Sequence, residues 1–463
     1  MPMARRKNLM LDLLRHHTHA HHLLCKRTVM RLNTQQLVEA FNSYVTPRHD
    51  WLVGGEFERA VVRPDGRPIG YDEPDGIRWV LNALAEDSTW TPKFEGENII
   101  ALHRSDLANI TLEPGGQVEL SGAPHRTLSA LADEMQANRR ALLNLSAPKN
   151  HVWIAAGLTP ITPISAIPWV PKGRYGIMKR YLPQRGKLAA HMMKGTCSVQ
   201  ANYDYSSEAD CARKVRLCSG LAPLTTALFA NSPLLENKPT GFKSYRGHIW
   251  TKTDPDRTGF PPGLRNDFSF ERWVNYLLDA PMMFRVLGDD WVPAHGIPFR
   301  RFMEEGIEGQ FPTSEDWDLH QTSVFPEVRV KRTIEIRGAD CVDHEMALAF
   351  CALFTGMLYC NVALDEGLQL VEELEGGGNH IERFESAARH GLEAQIAGRS
   401  LADWASDLGA IAERGLKACL PDDLHMISPL LARIADGRSP ADDLLDAWKA
   451  DPSPENIIAA CAY

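Results

Sequence analysis

Three short apolar segments carry acidic residues at a spacing that could do chemistry. Gly54-Gly55-Glu56-Phe57-Glu58 places Glu56 and Glu58 two apart, and on a strand such residues project from one face. Leu112-Glu113-Pro114-Gly115-Gly116-Gln117-Val118-Glu119-Leu120 adds Glu113 and sets Gln117 and Glu119 two apart. Ile334-Glu335-Ile336-Arg337-Gly338 puts a carboxylate and a guanidinium on one face. One such strand is ordinarily just the solvated side of a sheet. Three of them, flanked by apolar residues that make an unpaired carboxylate costly, point to a ligand. Magnesium takes hard oxygen donors and is commonly held by carboxylates together with substrate phosphates. Arginine neutralises a transferring phosphoryl group. Glu56, Glu58, Glu113, Glu119, Glu335 and Arg337 supply that inventory, so an ATP-dependent site on a sheet face is expected.

A complementary basic set lies in loops rich in Gly, Pro and Trp. Pro171-Lys172-Gly173-Arg174-Tyr175 is one; Ser244-Tyr245-Arg246-Gly247-His248-Ile249-Trp250 and Asp256-Arg257-Thr258-Gly259 follow; Arg329, Lys331 and Arg332 lead into the Glu335 strand. Such charges usually sit in solvent. In these loops they are candidates for gripping carboxylate or phosphate.

The elements that must position these residues are mixed. Strand-like runs occur at Trp51–Val53, Ile99–Leu102, Asn109–Leu112, Thr196–Asn202 and Val328–Ile336. Residues 126–147 have helical periodicity through Leu128, Leu131, Met135, Leu142 and Leu145. Five prolines between Pro160 and Pro183 predict a long irregular loop. A helix follows Ser206-Ser207-Glu208, and Met346–Leu364 reads as one buried core helix. Thr34 is the expected N-cap of the first helix, and Ser439-Pro440 and Ser453-Pro454 open helices near the end. Without regular βαβ alternation the class is α+β. Three units are expected: a basic, histidine-rich leader at 1–31, a catalytic domain at 32–375, and a helical C-terminal subdomain at 376–463 packed on it.

Composition narrows the rest. The 463 residues carry a net charge of −9, but the leader has seven basic residues against one acidic, leaving −15 on the body. That excludes nucleic acid as the main partner. No membrane span is expected, and nine scattered cysteines without a CxxC pair indicate a reducing compartment. A cytoplasmic protein, monomer or homodimer, is the reading. Gly186-Lys187 is followed by Leu188 and has Tyr181 at the first glycine position, so there is no P-loop; HExxH and GxSxG are also absent.

Longer segments carry a family resemblance. LEPGGQVELSGAP (112–124), PKGRYGIMKRYLP (171–183), TCSVQANYDYSSEAD (196–210), TALFANSPLLENKPTGF (226–242) and FPEVRVKRTIEIRGAD (325–340) closely resemble glutamate–cysteine ligases of the plant and alphaproteobacterial type. The likeness runs from about residue 34 to 360 and thins through the tail. It implies a glutamine-synthetase-like catalytic fold, mostly antiparallel sheet forming the active-site face with helices behind. It also implies ATP and Mg2+ as cofactors and L-glutamate and L-cysteine as substrates, joined through a γ-glutamyl phosphate to give γ-glutamylcysteine. By position, Glu56, Glu58, Glu113, Glu119 and Glu335 resemble the magnesium carboxylates. Gln200 and Asn202 resemble strand residues facing the nucleotide, and Arg337 the residue meeting the transferred phosphate. Lys172, Arg174, Tyr175, Arg246 and Arg257 resemble residues lining the substrate and phosphate pockets.

Two motifs depart from the family pattern. Gly-Thr-Glu-His-Glu-Lys-Phe is here Gly54-Gly55-Glu56-Phe57-Glu58-Arg59-Ala60, and the Gly-Gly-Pro after Asp340 is Cys341-Val342-Asp343. The second change points to the acceptor-amine pocket as the part that differs. Other readings are the same chemistry on a different amine, or a non-catalytic glutamate- or nucleotide-binding homologue. Plant members use a disulfide whose second cysteine resembles Cys351, but Gly309-Gln310-Phe311-Pro312 holds no partner, so no equivalent redox switch is expected.

Overall fold

The computed structural model describes residues 31–463 apart from Pro262. The leader, Arg31 aside, lies outside the described residues.

One sheet of nine strands organises the chain. The strands are β1 (Val53–Val62), β2 (Thr91–Glu95), β3 (Asn98–His103), β4 (Asn109–Leu112), β5 (Val118–Ser121), β6 (Val152–Ile154), β7 (Ser198–Tyr203), β8 (Val328–Val330) and β9 (Ile334–Asp340). Their order is β8-β9-β7-β1-β5-β4-β3-β2, with β6 pairing the far end of β1. Every pairing in the sheet is antiparallel. Residues of β1 alternate between buried and half-buried, the signature of a strand with one packed face and one open one.

The packed face rests on helices. Along the chain the helices include α1 (Thr34–Ser43), α2 (Leu128–Ser146), α3 (Gly173–Tyr181), α4 (Glu208–Leu228), α5 (Tyr245–Thr251), α6 (His344–Tyr359), α7 (Asn361–Leu374), α8 (His380–His390) and α9 (Leu401–Cys419). Helices α2, α4 and α6 lie against the rear of the sheet. Residues 346–358 of α6 are all buried, which is why that helix is apolar all round. One hydrophobic core runs from Leu37 through Ile434, so the C-terminal helices share the core of the sheet domain. The tail adds a bridge between Ile154 and Ala462 at the edge of β6. The outcome is the α+β architecture expected, with the two serine-proline signatures opening helices Pro440–Ala450 and Pro454–Ala460.

Four local expectations change. Asn33, not Thr34, caps α1, in a capping box with Gln36. The proline-rich loop contains α3, because Pro171 and Pro183 flank a proline-free stretch long enough for a helix. The apolar run from Met346 is two helices, bent by 100° at Cys360, and neither is long and apolar enough to cross a membrane alone. Val328–Ile336 is a hairpin, in which Arg329 pairs with Glu335 across β8 and β9.

Candidate active site

The open face of the sheet gathers the acidic residues by register. Glu56 on β1 lies opposite Gln200 on β7, Asn202 lies opposite Glu335 on β9, and Glu58 lies opposite Glu119 on β5. Like charges facing each other across an antiparallel pair destabilise a sheet, so Glu58 and Glu119 are not there for the fold. Their neighbours hold them in place. Asn202 Nδ2 donates to Glu56 at 2.8 Å, Gln200 Nε2 and the Ser198 amide donate to Glu58 at 3.2 and 2.6 Å, and the Thr111 hydroxyl donates to Glu119 at 2.8 Å.

Charge is uncompensated there. Burial, helped by Glu335 and Glu119, pushes the Glu56 carboxyl up to about 7. Burial with Glu119 and Glu113 takes Glu58 up to about 8, and burial with Glu113 also raises Glu119. Glu335 is the exception. It has no exposed surface, and both oxygens are taken: Arg329 donates at 2.7, 2.9 and 3.1 Å, Lys331 lies at 3.1 Å, and Arg337 pairs with it. Burial would raise this carboxyl, but Arg329, Lys331 and Arg337 outweigh it and hold it well below the usual range. The sequence flags Glu335 and Arg337; it misses the grip of Arg329, which requires the hairpin register.

The basic residues divide. Gly115 and Gly116 turn the chain between β4 and β5, with the Glu113 amide bonded to the Gln117 carbonyl at 2.9 Å. A Cβ on Gly115 would lie 2.2 Å from the Lys194 carbonyl oxygen, so glycine is required there. Gln117 is buried and donates to the Thr196 carbonyl at 2.9 Å, tying this turn to the start of β7 instead of facing the site. Lys172 and Arg174 approach the turn from the start of α3. Tyr175 is buried, and its hydroxyl bonds the Leu112 carbonyl. Burial and Arg174 bring the Lys172 amine down to about 7, against the opposing pull of Glu113.

Arg246, buried on α5, donates to the Arg337 carbonyl at 3.0 Å and lies 3.9 Å from Asp340. Arg337 itself donates to Gln200 at 2.5 Å, so β7 meets its side chain and α5 its backbone carbonyl. Glu327, absent from the sequence-based set, is a buried carboxylate near Arg246 and Arg337 whose Oε2 has no hydrogen-bond partner. Nothing in its local pattern marks it, because its role depends on the fold.

Arg257 is not brought to this face. Its fully buried guanidinium donates to Asp254 at 2.6 Å, the Ser323 carbonyl at 3.0 Å, the Tyr181 hydroxyl at 3.2 Å and the Pro281 carbonyl at 2.7 Å. Those bonds leave little donor capacity for a substrate, and they clamp four segments together.

Oxygen donors and unbalanced negative charge fit magnesium. Among the described residues, however, no three His, Cys, Asp or Glu side chains are yet drawn together to hold an ion.

The model of glutamate–cysteine ligase family 2 matches residues 52–462. The chain belongs to that family. It is an ATP-dependent carboxylate–amine ligase, and the match extends through the helical tail where the sequence resemblance thins. The chloroplastic glutamate–cysteine ligase B of rice (Oryza sativa subsp. japonica) is 37% identical over 427 residues, covering 90% of this chain and 84% of the rice protein. The chloroplastic enzymes of Brassica juncea and Arabidopsis thaliana are each 36% identical, covering 91% of this chain and 82% and 80% of theirs. A glutamate–cysteine ligase from Francisella tularensis, solved with AMP, shares the fold, with a TM-score of 0.55 at 14% identity over 89% of this chain and 87% of its own. The chloroplastic relatives overturn the expectation of a cytoplasmic protein. Unpaired cysteines report a reducing environment, and several compartments supply one.

Proposed function

We infer that this ligase joins the γ-carboxylate of L-glutamate to the amine of L-cysteine on the open face of the sheet, at the expense of ATP. The observation that carries this reading is the row Glu56, Glu58 and Glu119, uncompensated and half-buried, beside the arginine pair Arg337 and Arg246.

A carboxylate is a poor electrophile until phosphorylation gives it a leaving group. Bringing glutamate to a triphosphate requires cations to offset the repulsion and donors to fix the line of attack. Arg337, anchored by Gln200 and Glu335, stabilises charge on the transferring phosphoryl group. Arg246 supports it through the Arg337 carbonyl and offers its remaining donors to the γ-carboxylate. Lys172 and Arg174, beside Glu113, face the other end of the same row and hold phosphate oxygens. Glu58, Glu113 and Glu119, with Glu56, would hold Mg2+; Glu335 would do so only by giving up a cation. Magnesium, when bound, neutralises phosphate oxygens and polarises the transferring group. Amine attack on the acyl phosphate then expels inorganic phosphate.

Cysteine as acceptor is supported by where the sequence departs from its family. Cys341 and Val342 have no exposed surface, and Asp343 caps α6 by accepting from the Met346 amide at 2.8 Å. Those changes serve packing and capping. The test is ADP release with L-glutamate and Mg2+ across a panel of amines. Release strongest with L-cysteine is expected; selective release with another amine refutes the acceptor, and none with any amine refutes the ligase reading of this face.

A further inference from the structure

Away from the carboxylate row, three guanidinium groups converge on the far side of β8. Arg216 on α4, Arg265 in the turn segment 263–267 and Arg383 on α8 converge on Glu375 at the end of α7, the first two on its carboxylate and the third on its backbone carbonyl. Arg216 grips Glu375 with two bonds of 2.8 and 2.5 Å, and Arg265 pairs with the same carboxylate. Arg383 Nη1 donates to the carbonyls of Glu375 and Gly377, each at 3.2 Å, and of Gly378. Glu372 acts on Arg216 from further away. Two of the three guanidinium groups therefore share the Glu375 carboxylate, and the third, Arg383, is held by backbone carbonyls.

Donors in this cluster are left without acceptors. Arg383 is 4% exposed and its Nε is enclosed with no hydrogen-bond partner. His380 is 8% exposed, both ring nitrogens are enclosed without a partner, and Phe260 packs edge-on at 4.0 Å. Burial and the three arginines push His380 down to about 3, so its ring is neutral and still has one N–H to give. Burial and its arginine neighbours bring Arg265 down to about 10, a mark of crowded positive charge. The wall beside Arg265 is apolar, formed by Leu264, Phe268, Val328 and Val330. Among the lining side chains none is acidic, so it offers no counter-charge to a cation.

We propose that Arg216, Arg265 and Arg383, with His380, bind a small oxyanion: a phosphate, a sulfate or a carboxylate group. Planar guanidinium forks match such groups, and buried donors left unpaired are costly until one arrives. The site is separate from the carboxylate row. Val328 and Val330 line its wall, whereas Arg329 between them turns to Glu335 on the opposite face of β8.

The test is calorimetric titration of the full chain with inorganic phosphate, sulfate and acetate in turn. Saturable binding is expected. Arg265→Gln should weaken it about tenfold or more, the worth of a charge-assisted bond. Glu375→Gln removes the competing carboxylate and should tighten it severalfold. Preference for phosphate and sulfate assigns a tetrahedral ligand; equal binding of acetate assigns a carboxylate. No saturable binding of any of the three overturns the proposal, as does parent-like affinity in Arg265→Gln. Should Arg265→Gln fail to fold, Glu375→Gln decides alone: tightening is the opposite of damage, and unchanged or weakened binding refutes the site.

Discussion

Replacing Glu335 and Glu56 by glutamine should move stability in opposite directions although both stand on one face. Glu335 has no exposed surface and is surrounded by Arg329, Lys331 and Arg337. Lys331 retains about a third of its side-chain surface (31%) and can turn to water once its partner is neutral. Arg329 and Arg337, at 9% and 12%, cannot. Glu335→Gln thus strands two buried guanidinium groups, and removing one partner of a buried pair costs about 3–5 kcal/mol.

Glu56 is the reverse case. Its ordinary carboxyl value of 4.5 is raised to about 7, so ionising it in the fold costs about 3 kcal/mol. A group raised in this way withdraws stability as pH climbs from 4.5 through 7, and at pH 8 the withdrawal is complete. Glu56→Gln removes that charge and should stabilise the protein by about 1–3 kcal/mol, discounted because the bond from Asn202 then meets a neutral acceptor. The assay is urea unfolding at pH 8 in EDTA without nucleotide, with ADP release measured in parallel with Mg2+. Both variants should lose at least a hundredfold in turnover. A Glu335→Gln protein within 1 kcal/mol of the parent, or a clearly destabilised Glu56→Gln, refutes this division of the carboxylates.

Three further outcomes are expected. Gly115→Ala must displace the Lys194 carbonyl from 2.2 Å and so should cut turnover at least tenfold, by steady-state kinetics, while circular dichroism stays native. Arg257→Lys loses bonds to two carbonyls, a hydroxyl and Asp254 and should cost about 2–4 kcal/mol in urea, yet leave the KM for glutamate within twofold. His320, fully enclosed and accepted by the Leu277 carbonyl at 2.6 Å, is pushed by burial from 6.5 to about 4. The unfolded chain then binds a proton the native state refuses. Stability is full above pH 6.5 and falls between 6.5 and 4 by up to about 3 kcal/mol, a slope that His320→Gln should flatten in pH-resolved melting.

Legibility in the sequence followed the range of the interactions. Period-two alternation is local, so the residues of β1 that reach the open face could be named from Gly54–Glu58 alone. Capping is local too, and Ser439 and Ser453 open helices as read. Pairing register is not local. Arg329 could be recognised as the anchor of Glu335 only after the Lys331–Thr333 turn folded one apparent strand into two. Arg257 looked like Arg246 in its loop, because the four groups that saturate it come from positions as distant as Tyr181 and Ser323. The change of composition after Gly376-Gly377-Gly378 marks the helical tail but not what it packs on: α9 lies on α6 within one core, contacts between segments far apart in the chain.

The same alternation explains why the first motif can depart from its family without disturbing the chemistry. On β1, Glu56 and Glu58 point to the open face; Phe57 and Arg59 point to the rear, at 3% and 2% exposure. Arg59 therefore answers to rear neighbours. It donates to the Cys341 sulfur at 3.0 Å and to the Glu58 carbonyl at 2.8 Å, and its guanidinium carbon stacks 4.3 Å from the Tyr463 ring centre. Cys341, the other departure, faces Cys197 and Ala155 in that rear layer. A substitution at Phe57 or Arg59 is thus a packing event, balanced by changes behind the sheet. One at Glu56 or Glu58 removes a carboxylate from a row whose mutual repulsion has no structural use, and it has no neighbour able to replace it.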